Sequence, residues 1–199
     1  MKTMKRDVTE LVFILDESGS MQPLTTDTIG GFNSMLAKQK NETGNALVTT
    51  VFFHNDSKIV HDRIDIKKVE PLTDKEYVPG GCTALIDALG DTITHIEKIH
   101  KYIKAEDVPG KTLFIISTDG EENASHKYTS NEIKQKICHL QKHKNWDFIF
   151  LGANLDAVAT AKSYGIEEEN AVTFLNDKKG IKLNYKVLES AISNYRNNN

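Results

Sequence analysis

Asp16, Ser18 and Ser20 stand at alternate positions directly after the apolar run Leu11-Val12-Phe13-Ile14-Leu15. A buried strand that ends in one carboxylate and two hydroxyls presents three hard oxygen donors on one side of a turn, and hard oxygens suit a hard divalent cation. Two of the three donors are uncharged, so a cation held there keeps positive charge to spare and has room for a further ligand. The plainer use of the same residues is a turn whose Asp and Ser side chains bond the local backbone. What separates the two readings is whether other oxygens reach the same place.

Two later segments supply candidates. Pro79-Gly80-Gly81-Cys82-Thr83-Ala84-Leu85 is a Gly-rich loop leading into a helical pattern, with Thr83 at its start. Ser117-Thr118-Asp119-Gly120-Glu121-Glu122-Asn123 follows another apolar run. Thr83 and Asp119 add a hydroxyl and a carboxylate. Five oxygens, with water or an incoming ligand, complete the octahedral shell that Mg2+ or Mn2+ takes, and an oxygen-only set discriminates poorly between those ions.

The elements that must position these residues follow from periodicity. Strand-like runs at 11–15, 46–53, 113–117, 148–151 and 171–174 are nearly all apolar, as expected of strands covered on both faces. Between them lie stripes at helical spacing: Ile29, Phe32, Met35 and Leu36; Leu85, Leu89, Ile93 and Ile96; Ile133, Ile137 and Leu140. A last stripe carries Ile181, Tyr185, Leu188 and Ile192 before Asn197-Asn198-Asn199, a frayed end. Thr129 and Glu132 have the form of a capping box, and Gly165 should end a short helix that begins near Leu155. His54-Asn55-Asp56-Ser57 is a turn too tight for a crossover, so 58–64 must return antiparallel at a sheet edge.

The pattern predicts a doubly wound α/β fold of the Rossmann-like kind: a mostly parallel sheet of about six strands, one antiparallel edge strand, and helices on both faces. In such sheets ligands bind at the carboxyl ends of strands where the strand order reverses, and Asp16, Ser18 and Ser20 follow the first strand.

Composition is consistent with one domain over residues 1–199, its core at about 9–194. No repeat, linker or shift in composition divides the 199 residues. A hydrophobic content of 39% and a net charge of −3 describe a globular chain without the basic excess of a nucleic-acid binder. The basic stretch at 1–6 precedes an apolar run too short for a signal-peptide core, and no run has transmembrane length. Cys82 and Cys138 lie far apart, one in a loop and one in a helical pattern, and read as free thiols of a reducing compartment. The expectation is a cytoplasmic monomer with no nucleic-acid or membrane partner.

Asp16-x-Ser18-x-Ser20, Thr83 in a Gly-Gly-x-Thr-Ala-Leu context and Asp119 in Thr-Asp-Gly together resemble the metal-ion-dependent adhesion site of von Willebrand factor A domains, with all five positions filled in order. The surrounding Ile14-Leu15-Asp16-Glu17-Ser18-Gly19-Ser20-Met21 and Ile29-Gly30-Gly31-Phe32-Asn33 are similar to stand-alone bacterial and phage-associated members, including those of tellurite-resistance operons. The resemblance implies that Ser18 and Ser20 bind the metal directly and that Asp16 and Asp119 hold it directly or through water. It also implies that Thr83 joins when a ligand is engaged, and that a partner protein supplies a Glu or Asp carboxylate. In related adhesion domains the last helix shifts on engagement. The implied function is a non-enzymatic, metal-dependent protein-binding module.

The alternative is a Mg2+-dependent hydrolase or phosphatase using the same cation as a Lewis acid. Against it, no Asp-x-Asp follows the first strand, and neither a Gly-x-Ser-x-Gly elbow nor a Gly-x-x-x-x-Gly-Lys-Ser/Thr loop occurs. His54 falls inside a turn rather than beside the serines. A metal-free scaffold is a third reading, which the complete donor set disfavours. Asp87 should bond within its helix or hold the loop, and Glu121 and Glu122 should form a solvated rim. His139 and His143 belong to a Lys-rich surface, and Trp146 to core or rim.

Overall fold

The computed structural model describes residues 8–153 and 156–197. The basic stretch 1–6, the helix start expected near Leu155 and the last two asparagines lie outside the described residues. Six strands, β1 (Val8–Asp16), β2 (Asn45–Phe53), β3 (Ser57–Asp65), β4 (Lys111–Thr118), β5 (Trp146–Ala153) and β6 (Ala171–Phe174), form one sheet in the order β3-β2-β1-β4-β5-β6. Every neighbouring pair is parallel except β2 and β3, which the short turn at His54 forces to run antiparallel at the edge. Five of the strands reach past their expected runs because the ladder continues beyond the apolar residues: Val8 pairs with Asn45 at one end of β1, and Asp16 with Phe53 at the other.

Among the described residues five α-helices return the chain: α1 (Thr25–Asn41), α2 (Leu85–Tyr102), α3 (Ser130–His143), α4 (Ala157–Ser163) and α5 (Lys178–Asn197). Alternation along β1 sorts the core. Leu11, Phe13 and Leu15 face α1 and α5, while Val12 and Ile14 face α2, α3 and α4. The Thr129–Glu132 capping box is formed at α3, and Gly165 ends α4 with φ of 81°. Among the described residues no helix is long and apolar enough to cross a membrane, and both cysteines are free and exposed.

From β1 the chain passes to β2 on one side and later to β4 on the other. The carboxyl ends of β1 and β4 therefore flank the point where strand order reverses, the place where this architecture opens a crevice.

α1 and α5 pack closely because Gly31 lies under the Tyr185 ring. A Cβ there would come within 2.2 Å of Tyr185 Cδ2, whereas one at neighbouring Gly30 would meet nothing within 4 Å. Gly31→Ala is expected to overpack this contact and lower stability by about 1–3 kcal/mol. Gly30→Ala, at an exposed helical position, is expected to raise it by up to about 1 kcal/mol. Urea midpoints of the two variants check both signs; equal effects would remove the special role of Gly31.

Candidate metal centre

The five oxygen-bearing residues are brought together at the crevice between β1 and β4. Asp16 closes β1, and its Oδ1 accepts the backbone N–H of Ser18 at 2.7 Å, turning the chain back on itself. Ser18 Oγ lies 3.1 Å from Ser20 Oγ, and Ser20 Oγ donates to Asp119 Oδ1 at 2.7 Å. Asp119 directly follows β4. Thr83 enters from the loop before α2, where a Cβ at Gly120 would stand 3.2 Å from its hydroxyl. Asp16, Ser18, Thr83 and Asp119 are buried and Ser20 is exposed, so the cluster opens to solvent on the Ser20 side.

Around these residues stands a set of groups that sequence alone did not single out. Thr118 Oγ1 donates to Asp16 Oδ2 at 2.5 Å, and Asn176 Nδ2 donates to Asp119 Oδ2 at 2.9 Å, so each carboxylate has one oxygen held from outside the cluster. Tyr77, buried between the loops, donates its phenol to the Asp16 carbonyl at 2.6 Å, and burial pushes that phenol far above its usual pKa. Glu17 is buried as well. Its carboxylate accepts the Val78 N–H at 2.6 Å while its backbone bonds Phe53 and Gly80, joining three segments at one residue.

The Gly-rich loop is held just as closely. Gly81 has φ of +73° and a Cβ there would strike Asn55 Oδ1 at 2.1 Å, the atom that accepts the Cys82 N–H. Asn123 brackets Thr83, accepting its N–H through Oδ1 at 2.9 Å and donating its own N–H to the Thr83 carbonyl. Asp87 holds the 126–128 loop by accepting three backbone N–H groups, as anticipated. Glu122 does not: instead of standing in a solvated rim, it turns inward, accepting the Ile86 N–H at 2.9 Å and those of Ala124 and Ser125. The unsatisfied amides at the start of α2 outcompete water for that carboxylate. His54 Nδ1 serves its own turn, accepting from Asn55 at 2.6 Å. His139 and His143 are exposed, and Trp146 is buried in the core.

Among the described residues no group of three or more His, Cys, Asp or Glu side chains gathers to hold a metal, so a cation site in this chain has to rest on hydroxyls as well as carboxylates. The cluster at Asp16 fits that requirement. Burial pushes the Asp16 carboxyl above its usual range, hydrogen bonds from Thr118 and Ser18 oppose this, and the charge of Asp119 adds to the rise. Two carboxylates crowded in a desolvated crevice are relieved by a cation. The Ser18 and Ser20 hydroxyls, which here bond each other and Asp119, turn to a cation without leaving a polar atom orphaned.

No protein-family model matches the chain, and no curated protein does. Several solved structures are similar to it. The mussel byssus proximal thread matrix protein 1, solved with a zinc-occupied MIDAS motif, has a TM-score of 0.64 at 15% identity over 96% of this chain and 47% of its own. The ArnB paralog VWA2 from Sulfolobus acidocaldarius scores 0.60 at 18% identity over 87% of this chain and 43% of its own. A von Willebrand factor type A structure from Catenulispora acidiphila scores 0.61 at 16% identity over 92% of this chain and 42% of its own. The chain thus has the von Willebrand factor A fold, and spans about half the length or less of these three structures.

Tyr77→Phe removes the donor to the buried Asp16 carbonyl while keeping the ring against Phe52 at 5.1 Å. It is expected to cost about 1–3 kcal/mol of stability by leaving that carbonyl unpaired. A urea midpoint equal to wild type would show that water replaces the phenol there.

Proposed function

We propose that this chain is a metal-dependent protein-binding module that grips an acidic side chain of a partner through a divalent cation, Mg2+ or Mn2+, held by Asp16, Ser18, Ser20, Thr83 and Asp119. The observation that carries this reading is the convergence of those five side chains, from three separate loops, at the switch point between β1 and β4. A bound ion would supply an electrophilic position for a ligand, and the exposed Ser20 leaves that side of the cluster open to solvent. Ser18 and Ser20 offer neutral oxygens, and two carboxylates only just neutralise a divalent charge, so a further carboxylate from outside is welcome.

The surrounding residues do the positioning. Thr118 and Asn176 each hold one oxygen of Asp16 and Asp119, while the other oxygens accept from the Ser18 N–H and the Ser20 hydroxyl within the cluster. Asn123 fixes the backbone of Thr83 through both its N–H and its carbonyl, without engaging the hydroxyl. Recognition by such a site needs no nucleophile or general base. The module binds and does not turn over a substrate. The metal-occupied motif of the similar mussel protein supports the choice of ion class.

A pull-down with the immobilised chain, in Mg2+ and in EDTA, with Thr83→Ala in parallel, tests the reading. The expected outcome is a partner retained in Mg2+ and lost both to EDTA and to Thr83→Ala. Retention indifferent to both, or Mg2+-dependent phosphatase turnover abolished by Asp16→Ala, would overturn it.

The pH dependence has a definite sign. Asp16 has a raised pKa in the folded, metal-free chain, so its contribution to stability is present at low pH and lost as pH rises through that value. Bound Mg2+ favours the carboxylate and restores it. The gain in melting temperature on adding Mg2+ is therefore expected to grow as pH rises from the ordinary carboxylate range near about 4 and then level off. Asp16→Asn is expected to flatten the curve. A gain that falls with rising pH would show that Mg2+ stabilises the chain elsewhere.

A further inference from the structure

At the opposite end of the sheet from the metal centre, a cavity of about 650 Å3 opens where the last turns of α2, the connection to β4, the end of α3 and the start of β5 meet. Its volume falls within the roughly 300–1,000 Å3 of small-molecule sites. Buried Leu140 and Trp146 line it, with Val108 and Pro109 from the connecting loop. The indole is immobilised on both sides, stacked on Phe114 at 5.1 Å and met edge-on by the His100 ring at 5.5 Å.

The cavity's rim is basic. Lys98, Lys101 and Lys144 are exposed there, and among the described residues none of the three makes an ion pair. The single carboxylate of the lining, Glu97, faces Lys136 at 3.6 Å. Lysines near helix C-termini complement the helix dipole. That role accounts for their charge but not for an apolar floor with an ordered indole beneath them.

A buried network also supports this end. Glu10 is wholly buried, with Arg63 Nε 2.5 Å from one carboxylate oxygen and His100 Nε2 2.6 Å from the other. Arg63 reaches it from an irregular stretch of the β2–β3 ladder, at φ of 51°, a conformation that costs a non-glycine residue of order 1–3 kcal/mol. Glu10 thus sits against a permanent cation and fixes the His100 ring through Nε2, leaving Nδ1 unused by the carboxylate.

We infer that this cavity is a second ligand site, for a small anion with a flat apolar body: the body lies on the Trp146–Leu140 floor and the anionic group sits among Lys98, Lys101 and Lys144. An aromatic carboxylate or phosphate and a nucleotide share this chemistry. The site is independent of the metal centre, since Glu10 and Asp16 stand six residues apart on β1, about 20 Å at a strand's rise per residue.

Trp146 is the chain's single tryptophan, so its fluorescence reports this cavity alone. The full chain, in EDTA, is titrated with phenyl phosphate, adenosine 5′-monophosphate, neutral benzyl alcohol and inorganic phosphate. A saturable change with one or both aromatic anions is expected, with benzyl alcohol and inorganic phosphate weaker by about tenfold or more. The tighter of the two anions identifies the source. The exposed double variant Lys98→Gln/Lys144→Gln is expected to weaken the preferred anion about tenfold or more while its thermal midpoint stays at the wild-type value. The inference is overturned if neither aromatic anion saturates, if benzyl alcohol binds as tightly, or if the lysine variant binds unchanged.

Discussion

A carboxylate buried at the end of a buried strand is the constraint around which this molecule is arranged. Asp16 cannot be left in that position without donors. One comes from its own turn, the Ser18 N–H, and the other from Thr118, the last residue of the neighbouring strand. The second bond requires β4 to lie beside β1 in the register that sets Leu15 against Ser117. The need to satisfy one side chain therefore ties the turn after β1 to the strand order of the whole sheet. Glu17 extends the same logic, because its buried carboxylate and backbone anchor the Val78–Gly80 segment to the end of β2.

The result is a crevice whose loops are fixed before any ligand arrives. Asn55, Asn123 and Glu122 each accept backbone N–H groups of the Cys82–Ile86 segment, which leaves the oxygens of the cluster unclaimed by those amides. Such preorganisation lets a binding site spend little of its affinity on ordering loops. Gly31 lets α5 settle against α1, so the segment carrying Asn176 leads into a closely packed helix.

Much of this was legible in the sequence, and the reason is locality. Apolar runs and stripes report burial residue by residue, so the strands, the antiparallel edge at β3 and four of the helical faces follow directly. Asp16, Ser18 and Ser20 are legible for the same reason, and Thr83 and Asp119 because each stands within two residues of glycine in a distinctive context. The supporting shell was not, because its contacts span the chain: Thr118 meets Asp16 across 102 positions, Asn176 meets Asp119 across 57, and His100 meets Glu10 across 90. Glu122 was misread because an acidic pair after a glycine looks solvated until the start of α2 is placed beside it. Strand ends were set too short because hydrogen-bond ladders outrun the apolar block.

The distribution of charge makes the physical case for a cation. Among the described residues all five α-helices begin at the carboxyl end of the sheet, so their positive N-terminal ends lie at the same end of the molecule as the cluster. Four of those ends are already engaged by carboxylates of the chain: Glu122 at α2, Glu132 at α3, Asp156 at α4 and Asp177 at α5. Among the described residues neither Asp16 nor Asp119 has a Lys, Arg or His within ion-pair distance. The contrast with Glu10, equally buried but met by both Arg63 and His100, is sharp. Where this chain means a buried carboxylate to be balanced from within, it brings side-chain cations to it. At Asp16 and Asp119 it brings hydroxyls and amides instead, and that contrast is the electrostatic ground on which the proposed cation site rests.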